Sequence, residues 1–431
     1  MTIRDTLLAR LAEIRVIDTH EHLWDESYRL AHPGDWTLPF FHYGITALQV
    51  AGMTPAESET LYASDTPHED KWAIFSRYYP AARNTAYLRC ARIALRDLYG
   101  IEAVTSESME ELTRRIRAAV RPGFYRHVLR ERAGIDCAWV NAFDRDEEGN
   151  RYPVRDWGDT SLLHPALFAN DLIHPTGYGL MARATGREAE TLADWLAAID
   201  AYFARYAPGC AAVKVALAYR RPLAYSPDVP RAQAEALYVE HRERPLAGEA
   251  ARPLEDYILH HVLRRAADYA LPVQFHTGLY SGANHLNAYA LRDNVRDLAA
   301  LAVAHPECRI IAMHIAYPFQ DELVMAARQV PNLFAEMSWA WVVDPVAAAR
   351  FMAQMLVAAP MTKLLGFGGD YAFVENTYGH LAVARQGMAR ALATLVEDWG
   401  WDLEEAVEAG WYALRGSAEA LAGGCGGRGA S

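Results

Sequence analysis

Cysteine is scarce in this chain: Cys90, Cys137, Cys210, Cys308 and Cys425 are five among 431 residues, odd in number and without metal-knuckle or redox spacing. That usage points to a reduced, cytoplasmic setting and gives no cysteine a catalytic role. There is also no Lys/Arg-rich block and no basic patch interleaved with aromatics. With a formal net charge of −12, nucleic acid is excluded as a partner and the charge serves solubility. No apolar run reaches membrane-spanning length, so a membrane is excluded as well. Met1 to Arg15 sets Leu7, Leu8, Leu11 and Ile14 at helical spacing among charges, which describes an amphipathic leading helix rather than a signal peptide. Internal repeats are lacking. The glycine-rich end, 423–431, has too little side chain to pack and is expected to form a flexible tail.

What the chain does have is a repeated grammar of apolar runs that end in a polar residue. Val16-Ile17-Asp18-Thr19-His20-Glu21-His22 closes on two histidines spaced i, i+2, which project to the same side of a strand. Two such imidazoles are the beginning of a site for a borderline-soft divalent metal. Ala211 to Leu217 carries Lys214, Pro272 to Gly278 carries His276, Arg309 to His314 ends in His314, and Lys363 to Asp370 ends in Asp370. Helix-length segments separate them at Leu254 to Ala270, Leu286 to Ala304 and Phe319 to Val330. Strand and helix therefore alternate as βα units around a parallel sheet. Polar residues at the carboxyl ends of parallel strands are the layout of an α/β fold of the (β/α)8 TIM barrel type, whose active site is built there.

With 431 residues, 52% of them hydrophobic, the chain can hold a barrel of ~250 residues plus an insertion. The expected organisation is one barrel domain over 1–422. After His22 the barrel grammar stops, and a helical insertion is expected at about 24–130, after the first strand and over the mouth. It opens with Trp24, Trp36, Phe40, Phe41 and Tyr43 and continues with helices near Lys71 to Tyr79, Tyr87 to Leu98 and Ser108 to Val120. The second strand has no clear candidate within it. Ile135 to Val140 reads as the third strand, Asn332 to Trp339 as the seventh, and Lys214, His276, His314 and Asp370 fall on the fourth, fifth, sixth and eighth. The stretch Tyr219 to Pro253 reads as a long polar loop beside the mouth.

In this order the residues resemble the amidohydrolase superfamily of metal-dependent barrels over most of the chain. Lys214 to Leu223 and Gln274 to Gly278 are similar to the amidohydrolase domains related to the fungal FluG protein. Asp65 to Ile101, with Lys71-Trp72, Phe75, Pro80, Asn84 and Leu95 to Gly100, resembles the helical insertion of uronate isomerases instead. The resemblance implies a divalent metal, zinc foremost, with manganese, iron or nickel also suited to nitrogen and oxygen ligands. His20, His22, His276 and Asp370 would hold it with one position open, lowering the pKa of a bound water from 15.7 to about 7. If the site has one ion, Asp370 and His314 move protons. If it has two, His314 becomes a ligand and Lys214, carbamylated, bridges them. Lys214 could equally pair with Glu336 or face a substrate carboxylate.

The expected function is a metal-dependent hydrolase that sends an activated water against a C–N or C–O bond of a small, carboxylate-bearing substrate. The alternative is a non-hydrolytic uronate isomerase-like or decarboxylase-like enzyme on the same site. Arg220 is the expected carboxylate holder through paired hydrogen bonds, unless Arg220 or Arg221 is taken by nearby acids. Tyr219, Trp24, Tyr317 and Trp339 are further substrate-binding candidates. His285, His380 and Glu375 also follow strand ends, whereas His305 reads as structural and His260 and His261, in mid-helix, as packing or surface groups. The aromatic insertion suits self-association into a homo-oligomer.

Overall fold

The computed structural model describes residues 2–141, 144–145, 151–152, 161–283 and 288–422; the tail expected at 423–431 and His285 lie outside them. Eight parallel strands are hydrogen-bonded in chain order: β1 (Val16–Glu21), β2 (Ile135–Val140), β3 (Leu163–Phe168), β4 (Ala212–Val215), β5 (Val273–Phe275), β6 (Ile310–Ala312), β7 (Leu333–Glu336) and β8 (Leu364–Leu365). The ring is closed beyond β8, where Phe367 O accepts from Thr19 N (3.1 Å), Asp370 N donates to His20 O (2.8 Å) and His22 N donates to Tyr371 O (3.0 Å). Strand burial is nearly continuous because helices cover the outside and Ile17, Trp139, Ala166, Ile311 and Leu365 share an inner cluster.

The TIM barrel expected from the sequence is present, with one shift of numbering. Ile135–Val140 is the second strand, not the third, and the whole helical insertion lies between β1 and β2. The missed strand is Leu163–Phe168. Its run is interrupted by His164 and Pro165, which hid the apolar pattern that marks its neighbours. The Tyr219–Pro253 excursion also contains a helix, Arg231–Glu243.

Insertion helices Glu26–Ala31, Tyr43–Val50, Pro55–Tyr62, His68–Ala82, Ala86–Tyr99 and Met109–Ala119 cap one side of the mouth. Two buried ion pairs fix them. Lys71 Nζ meets Asp35 Oδ2 at 2.6 Å, and Arg29 meets Glu375 Oε1 at 2.6 Å, joined by a 2.8 Å hydrogen bond from the Tyr99 hydroxyl. Helix Ala86–Tyr99 lies directly on Val374–Trp399, the helix after β8. Gly379 allows this approach, since a Cβ there would overlap the Cys90 carbonyl.

Candidate metal centre

The ends of seven strands and the insertion meet around a cavity of about 580 Å³ whose walls include His20, His22, Lys214, His276, His314 and Asp370. The residues that the sequence scatters over 351 positions are thus brought to one end of the barrel. Asp370 and His314 both adopt left-handed backbone (φ 59°), a conformation that tertiary contacts must impose on non-glycine residues. Gly368 and Gly369 precede the aspartate because there is no room for side chains: a Cβ on Gly368 would lie 2.7 Å from Glu336 Oε1, and one on Gly369 would strike the Glu21 carboxylate.

His20, His22 and Asp370 form the tightest group, with one ligand atom each and all three within 4.8 Å of one another. Asp370 Oδ1 lies 3.3 Å from His20 Nε2 and 3.1 Å from His22 Nε2. Ligands about 2.0–2.1 Å from a tetrahedral zinc stand about 3.3 Å apart, so the spacing fits. His20 adds a second sign: both its ring nitrogens are buried without a hydrogen-bond partner among the described residues. Burial works against ionisation of Asp370, yet contacts from His20 and His22 hold it well below the usual carboxylate range. His20 is driven well below its ordinary value, first by burial and then by Lys214, so its imidazole is neutral and has a lone pair to give. Two imidazoles beside a buried carboxylate are ligand types that suit a divalent cation.

His276 stands outside this trio. Its Nε2 donates to Leu279 O at 3.1 Å, leaving only Nδ1 with a lone pair, and its ring lies 4.5 Å from that of His314. His314 Nδ1 lies 3.1 Å from Ser338 O, a group that can only accept, so Nδ1 carries the hydrogen and Nε2 the lone pair. Ser338 Oγ in turn donates to Glu336 Oε2 at 2.6 Å. Burial pushes His314 down to about 4, with Asp370 pulling the other way. Lys214 is also buried. Its Nζ donates to Met313 Sδ at 2.6 Å, and desolvation brings it down to about 8 despite the nearby charges of Asp370 and Glu336.

Arg220 and Tyr219 line the cavity. Arg221 takes the acids that competed for Arg220: its guanidinium is buried and meets Glu255 at 2.8 Å and Asp256 at 2.5 Å. Arg220 forms no ion pair among the described residues and is exposed at the rim. Three expected contacts stand elsewhere. Trp24 is 46% exposed and packs on Tyr28, Tyr317 spends its hydroxyl on Asp344 Oδ2 (3.3 Å), and Trp339 is buried behind His314, stacked on Tyr43. Glu375 belongs to the Arg29 ion pair, and His380 Nδ1 donates to Gly369 O at 2.9 Å.

Several wall residues escaped the sequence. Asn141 and Asn170 follow β2 and β3, so the same grammar of a polar residue after an apolar run would have found them. His42 and Tyr43 come from the insertion and carry no periodic signal. Asp18 and Glu21 lie behind the histidines. Burial raises both, Asp18 to about 7 and Glu21 well above its usual range, and Glu21 is held by Thr377 Oγ1 (2.6 Å) and Tyr371 N (2.7 Å).

The profile of the amidohydrolase family matches residues 17–398, and the chain belongs to that family of metal-dependent enzymes. A uronate isomerase of Rhizorhabdus wittichii is 24% identical over 93% of this chain and 91% of its own length. The barrel superposes on the uronate isomerase of Thermotoga maritima with a TM-score of 0.76 at 16% identity, covering 97% of each chain. The glucuronate isomerase of Caulobacter crescentus gives 0.76 at 18% identity, covering 97% of this chain and 93% of that one. These relatives overturn the hydrolase expectation. Full-length similarity runs to proteins described as uronate or glucuronate isomerases, which favours the alternative reading and the resemblance seen in Asp65 to Ile101. No helix among the described residues is long and apolar enough to cross a membrane.

Proposed function

We propose that this protein is a metal-dependent isomerase of a uronate, interconverting aldose and ketose forms of a small sugar acid without consuming water. The observation that carries the reading is the similarity to a uronate isomerase along nearly the whole chain, insertion included. The site supplies the parts such a reaction needs.

His20, His22 and Asp370 would hold one divalent ion, zinc by preference among ions that accept two imidazoles and a carboxylate. Such an ion would supply Lewis-acid polarisation of a substrate oxygen there. Isomerisation moves one proton from the carbinol carbon to the aldehyde carbon and a second from the hydroxyl to the carbonyl oxygen. His314 Nε2 holds the lone pair that accepts the proton, since Ser338 keeps the hydrogen on Nδ1. The Ser338–Glu336 pair behind it fixes the ring plane. Arg220 at the rim receives the carboxylate, and Asn141, Asn170 and Tyr43 offer hydrogen bonds to the sugar hydroxyls along the wall. Lys214 has desolvated surroundings and no carboxylate at bonding distance among the described residues, which suits a neutral or charged partner for a substrate oxygen as well as a modified ligand.

The test is to incubate the zinc-loaded protein with glucuronate and follow the carbohydrate by NMR. A ketose acid should form, and chelation should stop it. Failure of every uronate tried, with the metal bound and the fold intact, would remove the proposal.

A further inference from the structure

A second cluster of ligand-type side chains lies at the opposite end of the barrel, in the connection from helix Ala288–Ala304 into β6. His305, Glu307 and Cys308 each offer a ligand atom, and these atoms lie within 4.8 Å of one another. His305 and Cys308 are buried, whereas the Glu307 side chain is 46% exposed, so an ion can enter from solvent past the carboxylate. The loop that carries them is fixed. Asn332 Nδ2 donates to the carbonyls of Ala302 (2.9 Å), His305 (2.8 Å) and Cys308 (2.8 Å), and Cys308 N donates to His305 O at 3.0 Å.

Hydrogen bonds behind His305 decide where its lone pair points. The Ser226 carbonyl can only accept, so His260 Nε2, 3.1 Å away, carries a hydrogen. Neutral His260 then presents a bare Nδ1, and His305 Nε2 at 2.6 Å must donate to it. Burial, with His305 alongside, pushes His260 down to about 4 and keeps it neutral. His305 Nδ1 is therefore a lone pair, yet it faces Glu307 Oε1 at 2.9 Å. Two acceptors hold that distance only with positive charge between them, either a proton or a metal.

We propose that His305 Nδ1, a Glu307 oxygen and Cys308 Sγ bind a zinc-class divalent cation, with solvent completing the coordination. Nitrogen, oxygen and sulfur together select such an ion over magnesium or calcium, which take oxygen alone. The Cys308 thiol, pushed up to about 12 by burial and by Glu307, now donates to Leu263 O at 3.2 Å. On binding it gives its proton to solvent and its sulfur to the metal. His260 becomes the outer partner that orients the ligand. Arg264 opposes the cation through its charge near Glu307 and Cys308, and it is exposed on the helix surface. The ion would tie helix Arg252–Asp268, through His260, to the lead-in of β6, at the barrel face where stability rather than catalysis resides.

The test uses the full chain, stripped of metal and titrated with Co²⁺ while the near-ultraviolet thiolate-to-cobalt charge-transfer band is followed. The trio at the barrel mouth contains no sulfur, so the band reports this site, independently of the isomerase reading. The band should saturate with about one equivalent at this site and vanish in Cys308→Ser. Glu307→Gln changes an exposed group that the fold does not need and should weaken the affinity read from the band at least about tenfold, as should His260→Gln. An absent band in the wild-type protein would assign a proton to the His305–Glu307 pair and overturn the proposal. A band unchanged in Glu307→Gln would do the same, even if Cys308→Ser failed to fold.

Discussion

At the residue scale, Asp370 carries the most. It is buried, touches His20 of β1 and His22 just after it, and is ionised because of them. Asp370→Asn should lose the metal, measured by elemental analysis, and lower kcat/KM by about three orders of magnitude or more while the circular dichroism spectrum stays unchanged. Normal turnover in that variant would refute its role. Arg220 has a different signature. Its removal takes away charged hydrogen bonds worth about 1.5–3 kcal/mol, so Arg220→Ala should raise KM for the sugar acid about tenfold to a hundredfold and leave kcat nearly as it was. An equal effect on the uncharged amide of the same sugar would show that Arg220 does not read the carboxylate.

At the element scale, the loop after β4 is pinned by a buried cluster in which Arg221 bridges Glu255 and Asp256, with His174 Nδ1 2.8 Å from Glu255. Burial outweighs Arg221 at Asp256, whose carboxyl is pushed up. At Glu255 hydrogen bonds from His174 and Arg221 overcome burial and hold it down. Taking away the one cation leaves buried acids without compensation, so Arg221→Met should cost about 3–5 kcal/mol in denaturant unfolding. A loss under about 1 kcal/mol would mean that the cluster is solvated. The elements themselves were legible to the extent that each ended in chemistry. Strands ending in His22, His276, His314 and Asp370 announce themselves, because an apolar run and a ligand are both visible in one dimension. Leu163–Phe168 is hidden in the sequence because a histidine and a proline break its run, so that Ile135–Val140 reads as the third strand although it is the second. The wall contributed by His42 and Tyr43 could not be read, since only the packing of the insertion against Trp339 and Tyr371 brings these residues to the mouth.

At the scale of the whole molecule, the barrel brings four buried carboxyl groups, Asp18, Glu21, Glu336 and Asp370, around one end with Lys214 among them. A bound cation relieves that excess, so removing the metal should lower Tm as well as activity. Acid stability depends on other groups. Burial disfavours ionised Asp35, but Lys71 and Thr37 hold it below its ordinary value, and Glu255 is lowered similarly. At these two groups the unfolded chain therefore binds more protons than the folded one in acid. The stabilisation is complete above the ordinary carboxylate range of about 4 and is lost as pH falls through the depressed native values. Unfolding free energy should decline on acidification over that interval, and Asp35→Asn should start lower and decline less steeply. An identical slope in the variant would assign the acid sensitivity to other groups.

The question of what the metal centre does is decided most directly by the mass of the product. Zinc-loaded protein supplied with glucuronate should yield a ketose acid of unchanged mass, showing that protons have moved and no water has been added. Inertness toward uronates, together with ring opening of a lactone to a product heavier by one water, or cleavage of an amide or ester into two fragments that share one added water, would contradict the account.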